Sequence, residues 1–197
     1  PPAGGESPEP PLPPDPGGDD EGPSPRIRYV VEDVPVRVVM ERVQYLDEDG
    51  KLITESLTDF TRKSVHKNYV SLDVFLTTWN KAEKKQAIIE ELVTQGVFFD
   101  DLAEQVGRDY DPFDLVCHVA FDQSPLTRKE RAERVRKRNV FGKYGDKARA
   151  VLDALLQKYA DSGIASVESM DILKVEPLTT FGTPMEIIKL FGGSPAN

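Results

Sequence analysis

A cluster of five aspartates is the first group in this sequence whose type and spacing could do chemistry. They are Asp100, Asp101, Asp109, Asp111 and Asp114. Alternating carboxylates are typical of calcium-binding loops, which also need a glycine at the sixth position and a glutamate at the twelfth. Counted from Asp109, those positions hold Asp114 and Ala120, so the loop pattern is not met. Acidic residues are also favoured where the helix dipole is positive, and we interpret the cluster as two helix starts.

The only cysteine, Cys117, is followed directly by one of the two histidines, His118. Neighbouring residues of a helix point in different directions, so these two side chains cannot work together as nucleophile and base. Cys117 lies beside Val116 and near Val119 and is predicted to be a buried core thiol. His118 is predicted to be a surface or packing histidine, with at most an i,i+4 contact to Asp122. This cysteine and histidine content excludes disulfide frameworks and zinc sites built from these residues.

Phosphate-binding motifs are also missing from the sequence. The only Gly-Lys pair, Gly142-Lys143, lacks the upstream glycine of a P-loop, and no Gly-x-Gly-x-x-Gly occurs. We therefore predict no catalytic, cofactor-binding or metal-binding residue in this chain.

One short span is strongly basic on an otherwise acidic chain. Residues 128–149 contain ten lysines and arginines against three acids, whereas the whole chain has a formal net charge of −9. Glu130 and Glu133 have favourable i,i+4 partners, which leaves most of the other cations of the span unpaired. The candidate contacts to DNA or to a protein partner are Arg128, Lys129, Arg131, Arg136, Arg138 and Lys143. Three explanations stay open: a face that is solvated or docks on the acidic remainder of the same molecule, a protein interface, and contact with DNA phosphates.

Length and composition indicate one soluble globular domain. The chain starts at Pro1 rather than at methionine, and we expect it to be part of a longer polypeptide. No stretch approaches the ~20 apolar residues of a membrane helix, and no signal-peptide pattern is visible. A reduced, cytoplasmic and monomeric protein without membrane contact is expected.

Residues 1–26 are predicted to be a disordered linker. Residues 1–25 hold ten of the 16 prolines, five glycines and six acids, and only Ala3 and Leu12 are apolar. Such a segment cannot bury enough apolar surface to offset the entropy of ordering it. A proline-rich linker implies a further domain upstream; the alternative is a low-complexity tail that has no partner.

Residues 27–56 are predicted to form a β-hairpin. From Val34 to Leu46 apolar and polar residues nearly alternate, with Val39 as the exception, as in one strand that has a buried face. The run 47–50 is typical of a turn with Gly50 at its left-handed position, and Leu52 begins the return strand. An isolated hairpin is marginal in water, so it must pack on the rest of the chain.

Residues 57–197 are predicted to form a C-terminal α-helical domain of seven or eight short helices. Helix starts are indicated by Ser71, by the Asp-Pro pair at Asp111, and by capping boxes that begin at Thr127 and Thr183. The predicted fold class is mainly α, an irregular multi-helix array preceded by a β-hairpin, rather than a four-helix bundle.

Several stretches of the sequence are more specific together than any single motif. The longest is Gly-Arg-Asp-Tyr-Asp-Pro-Phe-Asp-Leu at 107–115, continued by His-Val-Ala-Phe-Asp-Gln at 118–123. The others lie at 44–52, 89–97, 125–128, 136–139, 143–145, 181–184 and 191–193. Over about residues 30–193 the chain resembles the C-terminal part of the R (restriction and motor) subunit of type I restriction enzymes, in the EcoEI-like branch.

The resemblance implies an expected role. Such R subunits combine an upstream nuclease, two motor lobes that use ATP and Mg²⁺, and a C-terminal helical domain, and they translocate and cleave DNA together with methylation and specificity subunits. The helical domain is the part that docks the motor onto the methyltransferase core. Nuclease carboxylates and Walker motifs are not found in this sequence, so the resemblance carries over no catalytic residue, and the chain is expected to be non-catalytic by itself.

Two hypotheses follow from the residues and the resemblance. In the first, the chain is an assembly module that binds the methylation and specificity subunits and holds the motor near DNA. In the second, it is a DNA-backbone contact module that uses the basic helix at 127–149, and its duplex binding is sensitive to salt.

Overall fold

The computed structural model describes residues 28–31, 34–39 and 41–192. The strands are β1 (Arg28–Val31), β2 (Val34–Val39), β3 (Arg42–Leu46) and β4 (Leu52–Ser56). The α-helices of this part are α1 (Leu57–Asn68), α2 (Leu72–Lys81), α3 (Lys85–Thr94), α4 (Phe99–Val106), α5 (Pro112–Phe121), α6 (Arg128–Lys137), α7 (Asp146–Ser162), α8 (Ile164–Glu168) and α9 (Pro184–Lys189). Short 3-10 helices lie at Val140–Lys143, Met170–Lys174 and Leu178–Phe181. The predicted class, mainly helical after an antiparallel β element, is confirmed, whereas the linker predicted at 1–26 lies outside the described residues.

The strands form one antiparallel sheet in the order β1-β2-β3-β4. The hairpin predicted around residues 47–50 is confirmed as β3–β4. Asp47 stabilises its turn, because Oδ1 accepts hydrogen bonds from the backbone amides of Asp49 (3.1 Å) and Lys51 (2.8 Å). Gly50 has a φ of +74°, the left-handed conformation expected at this position.

The run from Val34 to Leu46 differs from the prediction, because it forms two strands rather than one. β2 and β3 are antiparallel, and Val38 pairs with Val43, with both side chains buried. The chain reverses between Val39 and Arg42 without the glycine or asparagine that usually indicates a tight turn. Val36 and Val38 are buried before this turn and Val43 after it, so the buried positions change from even to odd numbers. The apolar Val39, which interrupts the alternation in the sequence, was the available signal of the turn.

The largest apolar cluster is shared by the sheet and the first five helices. Its fully buried members include Val43, Leu57, Val65, Phe75, Leu92, Val97, Leu102 and Val116. Phe75 lies near the centre of its aromatic part, with ring centroids 5.8 Å from both Phe113 and Phe121 of α5. Burying a side chain of this size stabilises a fold by about 1.5–3 kcal/mol. The sheet therefore has the support that an isolated hairpin lacks.

The C-terminal half contains two smaller apolar clusters. One joins α7 to α9 and two of the 3-10 helices through Val151, Leu173, Leu178 and Ile187. The other joins α6 to α7 through Ala132, Tyr159 and Ala160. Because both clusters are small, polar contacts with the N-terminal half are important for holding the C-terminal half in place.

Glu168 provides one of those polar contacts. Its two carboxylate oxygens accept hydrogen bonds from the backbone amides of Lys85 (2.7 Å) and Gln86 (2.9 Å) at the start of α3. Lys84, the residue before that helix, has no capping side-chain bond of its own. The end of α8 thus caps a helix that begins more than eighty residues earlier in the chain.

The local helix signals in the sequence are confirmed. Ser71 accepts a hydrogen bond from the Val74 amide at the start of α2, and both predicted capping boxes, at Thr127 and at Thr183, are formed. The structure has nine α-helices in its described residues against seven or eight predicted; the five-residue α8 has no capping bond that marks it. Among these described helices, none combines the length and apolar character required to cross a membrane.

Candidate interaction surface

The start of α6 is fixed by local and tertiary bonds. Thr127 Oγ1 accepts the amide hydrogen of Glu130 (3.2 Å), and the Thr127 amide donates to the Glu130 carboxylate (2.8 Å). Thr127 also forms an isolated antiparallel bridge with Tyr110, and the Arg128 amide donates to the carbonyl of Asp109 (2.9 Å). The basic helix therefore begins against the loop that precedes α5.

The inner side of α6 carries a buried ion pair. Arg131 Nη2 lies 2.6 Å from Asp114 Oδ1, and the Asp114 side chain is only 4% exposed while that of Arg131 is 33% exposed. The same carboxylate oxygen accepts a hydrogen bond from the Leu126 amide (3.1 Å). The guanidinium of Arg131 also lies over the ring of Phe113, 5.1 Å from its centroid. Ala132, the next residue, is fully buried and packs with Tyr159 and Ala160 of α7, so the inner side of α6 contacts α5 through Arg131 and α7 through Ala132.

Arg128 is also engaged within the chain. Its guanidinium donates to the carbonyl oxygens of Tyr110 (3.2 Å) and Arg108 (3.0 Å). Of the six predicted contact residues, Arg128 and Arg131 therefore bind groups of this chain itself. For Arg131 this matches one of the three explanations left open by the sequence, in which the basic face docks on acidic residues of the same molecule.

Asp111 occupies the predicted position before α5, but its carboxylate makes no capping bond there. It accepts a hydrogen bond from the Ile164 amide at the start of α8 (3.3 Å), and it interacts electrostatically with Tyr159 of α7. Burial raises the pKa of the Asp111 carboxyl, and burial likewise raises the pKa of the Tyr159 phenol. We call Asp111, Asp114, Arg128, Arg131 and Tyr159 the polar joint, since they connect α5 to α6, α7 and α8.

Gly163 makes room for this joint. It has a φ of +82°, and a Cβ added there would lie 2.9 Å from Asp111 Oδ1. A residue with a side chain would therefore be strained by the left-handed backbone conformation. Its Cβ would also clash with the Asp111 carboxylate that accepts the Ile164 amide hydrogen.

The residues first considered for chemistry have structural positions. Cys117 is buried, as predicted, and burial raises the pKa of its thiol to about 12, so the thiol stays protonated at neutral pH. His118 Nδ1 lies 3.0 Å from the carbonyl oxygen of Gln123, whereas Asp122 pairs with Arg62 at 2.7 Å. Across residues 28–31, 34–39 and 41–192, no three of the histidine, cysteine, aspartate and glutamate side chains come together in a way that could hold a metal ion.

The outer side of α6 and the segment after it are exposed. Lys129, Arg138 and Lys143 are exposed, and Lys143 Nζ lies 5.2 Å from the ring centroid of Tyr144. Arg136 is exposed as well and donates to Gln157 Oε1 on α7 (2.8 Å). Four of the six predicted contact residues are thus accessible to a partner.

An open groove of about 310 Å³ lies between the end of α6, the first 3-10 helix and α7. Its lining residues are Val135, Arg136, Asn139, Val140, Phe141, Arg149 and Asp153. Only Arg136 among them was a candidate from the sequence. The chain turns into the groove at Asn139, which has a φ of +47°. Asparagine is one of the few residues that adopt this conformation readily, so it was the local signal for the turn.

Exposed apolar side chains are concentrated near the C-terminal end. Of the twelve large hydrophobic residues that are exposed in the described part, five lie within residues 170–191: Met170, Val175, Met185, Leu190 and Phe191. Phe191 contacts Tyr144 edge to face at 5.8 Å between ring centroids. The apolar segment therefore reaches the residues that follow the groove-lining 3-10 helix.

Comparison with known proteins identifies the family. Residues 55–197 match the family model described as EcoEI R protein C-terminal. Over 189 residues the chain is 54% identical to the type I restriction enzyme EcoAI endonuclease subunit of Escherichia coli, an alignment that covers 92% of this chain and 23% of that protein. The chain thus spans about a quarter of the length of this curated relative. No solved structure matches it. A helical array with these signature residues, matched over most of its length, places the chain in the EcoEI R protein C-terminal family of type I restriction enzyme R subunits.

Proposed function

We propose that this chain is the assembly domain of a type I restriction enzyme R subunit, which docks an ATP-dependent DNA translocase and endonuclease onto the methylation and specificity subunits. It acts as a binding module, with ATP and Mg²⁺ used by other domains of such a subunit. Family membership supports the context of a restriction complex.

The exposed apolar residues at 170–191 are the observation that carries this proposal. Met170 and Met185 are 60% and 46% exposed, although both belong to short helices held by the cluster around Leu173 and Ile187. Contiguous exposed apolar patches mark protein interaction sites, and we infer that these five residues contribute to one. Methionine is also well suited to an interface, because its flexible side chain adapts to the partner.

Binding of the 197-residue chain to a purified complex of methylation and specificity subunits tests the proposal. We expect saturable binding, and Met185→Asp should weaken it about ten-fold or more if the residue lies at the centre of the interface. An aspartate in the first turn of α9 is compatible with the helix dipole, so the helix should be retained. Val70→Asp is the matched control, since Val70 is 73% exposed between α1 and α2, outside the segment at 170–191.

The proposal fails if the chain does not bind the complex at micromolar concentrations, or if both aspartate variants bind as the original chain does. Circular dichroism of each variant establishes that its helices are intact before binding is compared.

DNA-backbone contact is the second candidate function, and the exposed cations Lys129, Arg136 and Arg138 favour it. It predicts that duplex affinity falls linearly with salt on a logarithmic scale. The triple variant with alanine at these three positions should reduce both the affinity and the salt slope, and Arg131 is left unchanged because it holds α6 on α5. Unchanged duplex affinity in the triple variant would exclude this function.

A further inference from the structure

We propose that the groove between α6 and α7 is a docking site for an acidic peptide segment of a protein partner, with one apolar side chain of that segment inserted as an anchor. The inference rests on the proposed function, since the segment belongs to the subunits that this chain is proposed to bind. It adds a specific recognition site and the chemistry of the partner.

Part of the groove lining is apolar. Val135, Val140 and Phe141 supply this part, and Val140 is 48% exposed. The volume of about 310 Å³ is at the lower end of the range of ~300–1,000 Å³ typical of ligand sites. An open site of this size suits one or two side chains of an extended segment.

The groove lining is also cationic. Arg136 and Arg149 belong to it, and Arg138, Lys143 and Lys147 are exposed nearby in the chain. Arg136 is oriented by its bond to Gln157, while Arg149 Nη2 lies at the longer distance of 3.7 Å from Asp146. Guanidinium groups bind carboxylates through paired N–H donors, so these two arginines complement aspartates and glutamates.

Two features favour an acidic peptide over a nucleic acid backbone in this groove. A phosphate backbone gains little from the apolar part of the lining, and it has no N–H donor for the Asp153 carboxylate. Asp153 can instead accept a backbone N–H of a peptide.

The groove also adjoins the apolar segment described above. The 3-10 helix that contributes Val140 and Phe141 is followed by Tyr144, whose ring packs on Phe191. A single protein partner can therefore contact the groove and the segment at 170–191 together. Such continuity is expected of an interface with an apolar centre and a polar rim.

A fluorescein-labelled peptide of alternating aspartates and glutamates with one central leucine is the probe. Its polarisation is titrated with the 197-residue chain at about 0.15 M salt, where weak surface attraction is largely screened. We expect saturable binding that weakens about ten-fold, or 1.4 kcal/mol, when serine replaces the leucine. A short fluorescein-labelled DNA duplex is titrated in parallel.

Two pairs of variants separate the groove from overall charge and surface effects. The double variant Arg136→Ala/Arg149→Ala should weaken peptide binding at least about ten-fold. Lys84→Ala/Arg134→Ala removes the same charge from exposed positions outside the groove and should change binding less than about two-fold. Val140→Asp should abolish binding, whereas Val93→Asp, at a residue with the same 48% exposure on α3, should leave it intact.

Equal weakening by both double variants, no saturable peptide binding, or tighter groove-dependent binding of the duplex would overturn the inference. The same four variants are then tested against the complex of methylation and specificity subunits. If the complex binds all four variants as tightly as the unchanged chain, the groove inference fails while the assembly function stands. If the complex binds neither the unchanged chain nor any variant, the assembly function itself fails.

Discussion

The ion pair between Arg131 and Asp114 should contribute far more to stability than an ion pair of the same geometry on the surface. The chain contains a matched comparison, because Arg62 and Asp122 are also joined by Nη2 and Oδ1, at 2.7 Å against 2.6 Å. The two pairs differ in burial: Asp114 is 4% exposed and Asp122 is 79% exposed. Distance is therefore held constant while the surroundings change.

The expected magnitude follows from what each substitution leaves behind. Arg131→Ala leaves the Asp114 carboxylate buried with the Leu126 amide as a partner, and we expect a loss of about 3 kcal/mol in the free energy of unfolding. Asp114→Ala leaves a guanidinium that is one-third exposed and can turn to water, so its loss should be smaller, about 2 kcal/mol. The coupling energy from the double-mutant cycle should be about 2 kcal/mol, against about 0.5 kcal/mol for the exposed pair.

Urea unfolding measures both cycles. Trp79 is the only tryptophan of the sequence, and its ring lies 5.1 Å from that of Phe113, so its fluorescence reports the region of the buried pair directly. Circular dichroism at the same urea concentrations shows whether the whole chain unfolds in one transition. Equal coupling energies for the two pairs would refute the reasoning, because they would show that burial adds nothing to this interaction.

Three further predictions concern other buried contacts. Burial raises the pKa of Asp111 above its ordinary value of 3.8, so the stability that its proton brings is present below about pH 4 and is lost as the pH rises through the folded-state pKa. The advantage of the original chain over Asp111→Asn in urea unfolding should thus decrease from pH 4 to pH 7. Glu168→Ala removes the acceptor of the Lys85 and Gln86 amides and should cost about 1–2 kcal/mol, with Glu168→Gln costing less. Cys117, with its thiol pKa raised to about 12, should react with Ellman's reagent only after unfolding in guanidinium.

Each of these has a result that would contradict it. A constant difference between the Asp111→Asn variant and the original chain across that pH range would mean that the carboxyl does not titrate with folding. Unchanged stability in Glu168→Ala would show that water replaces the cap at no cost. Rapid thiol labelling in the native state would mean that α5 opens readily.

The sequence predicted those features whose determinants are close together in the chain. The capping boxes at Thr127 and Thr183, the cap at Ser71 and the left-handed Gly50 each depend on residues within four positions, and all are confirmed. The resemblance was equally informative about the family, since its signature residues form short contiguous runs.

The sequence was less informative where the partners are distant. Asp111 and Asp114 were interpreted as helix starts because each is near a helix N-terminus, yet their carboxylates bind Ile164 and Arg131, 53 and 17 positions away. Periodicity and capping rules contain no information about such pairings. The groove was missed for the same reason, because Arg136 and Arg149 come together only after the chain turns at Asn139.

Gly163 links this geometry to how the family can diverge. Since a Cβ at this position would lie 2.9 Å from Asp111 Oδ1, a lineage that acquires a larger residue here must also move or replace that aspartate. Positions 111 and 163 are therefore expected to covary among homologues, although 52 residues separate them in the sequence. Aligned relatives that keep the aspartate should keep the glycine too, whereas relatives that lose one should show a compensating change at the other.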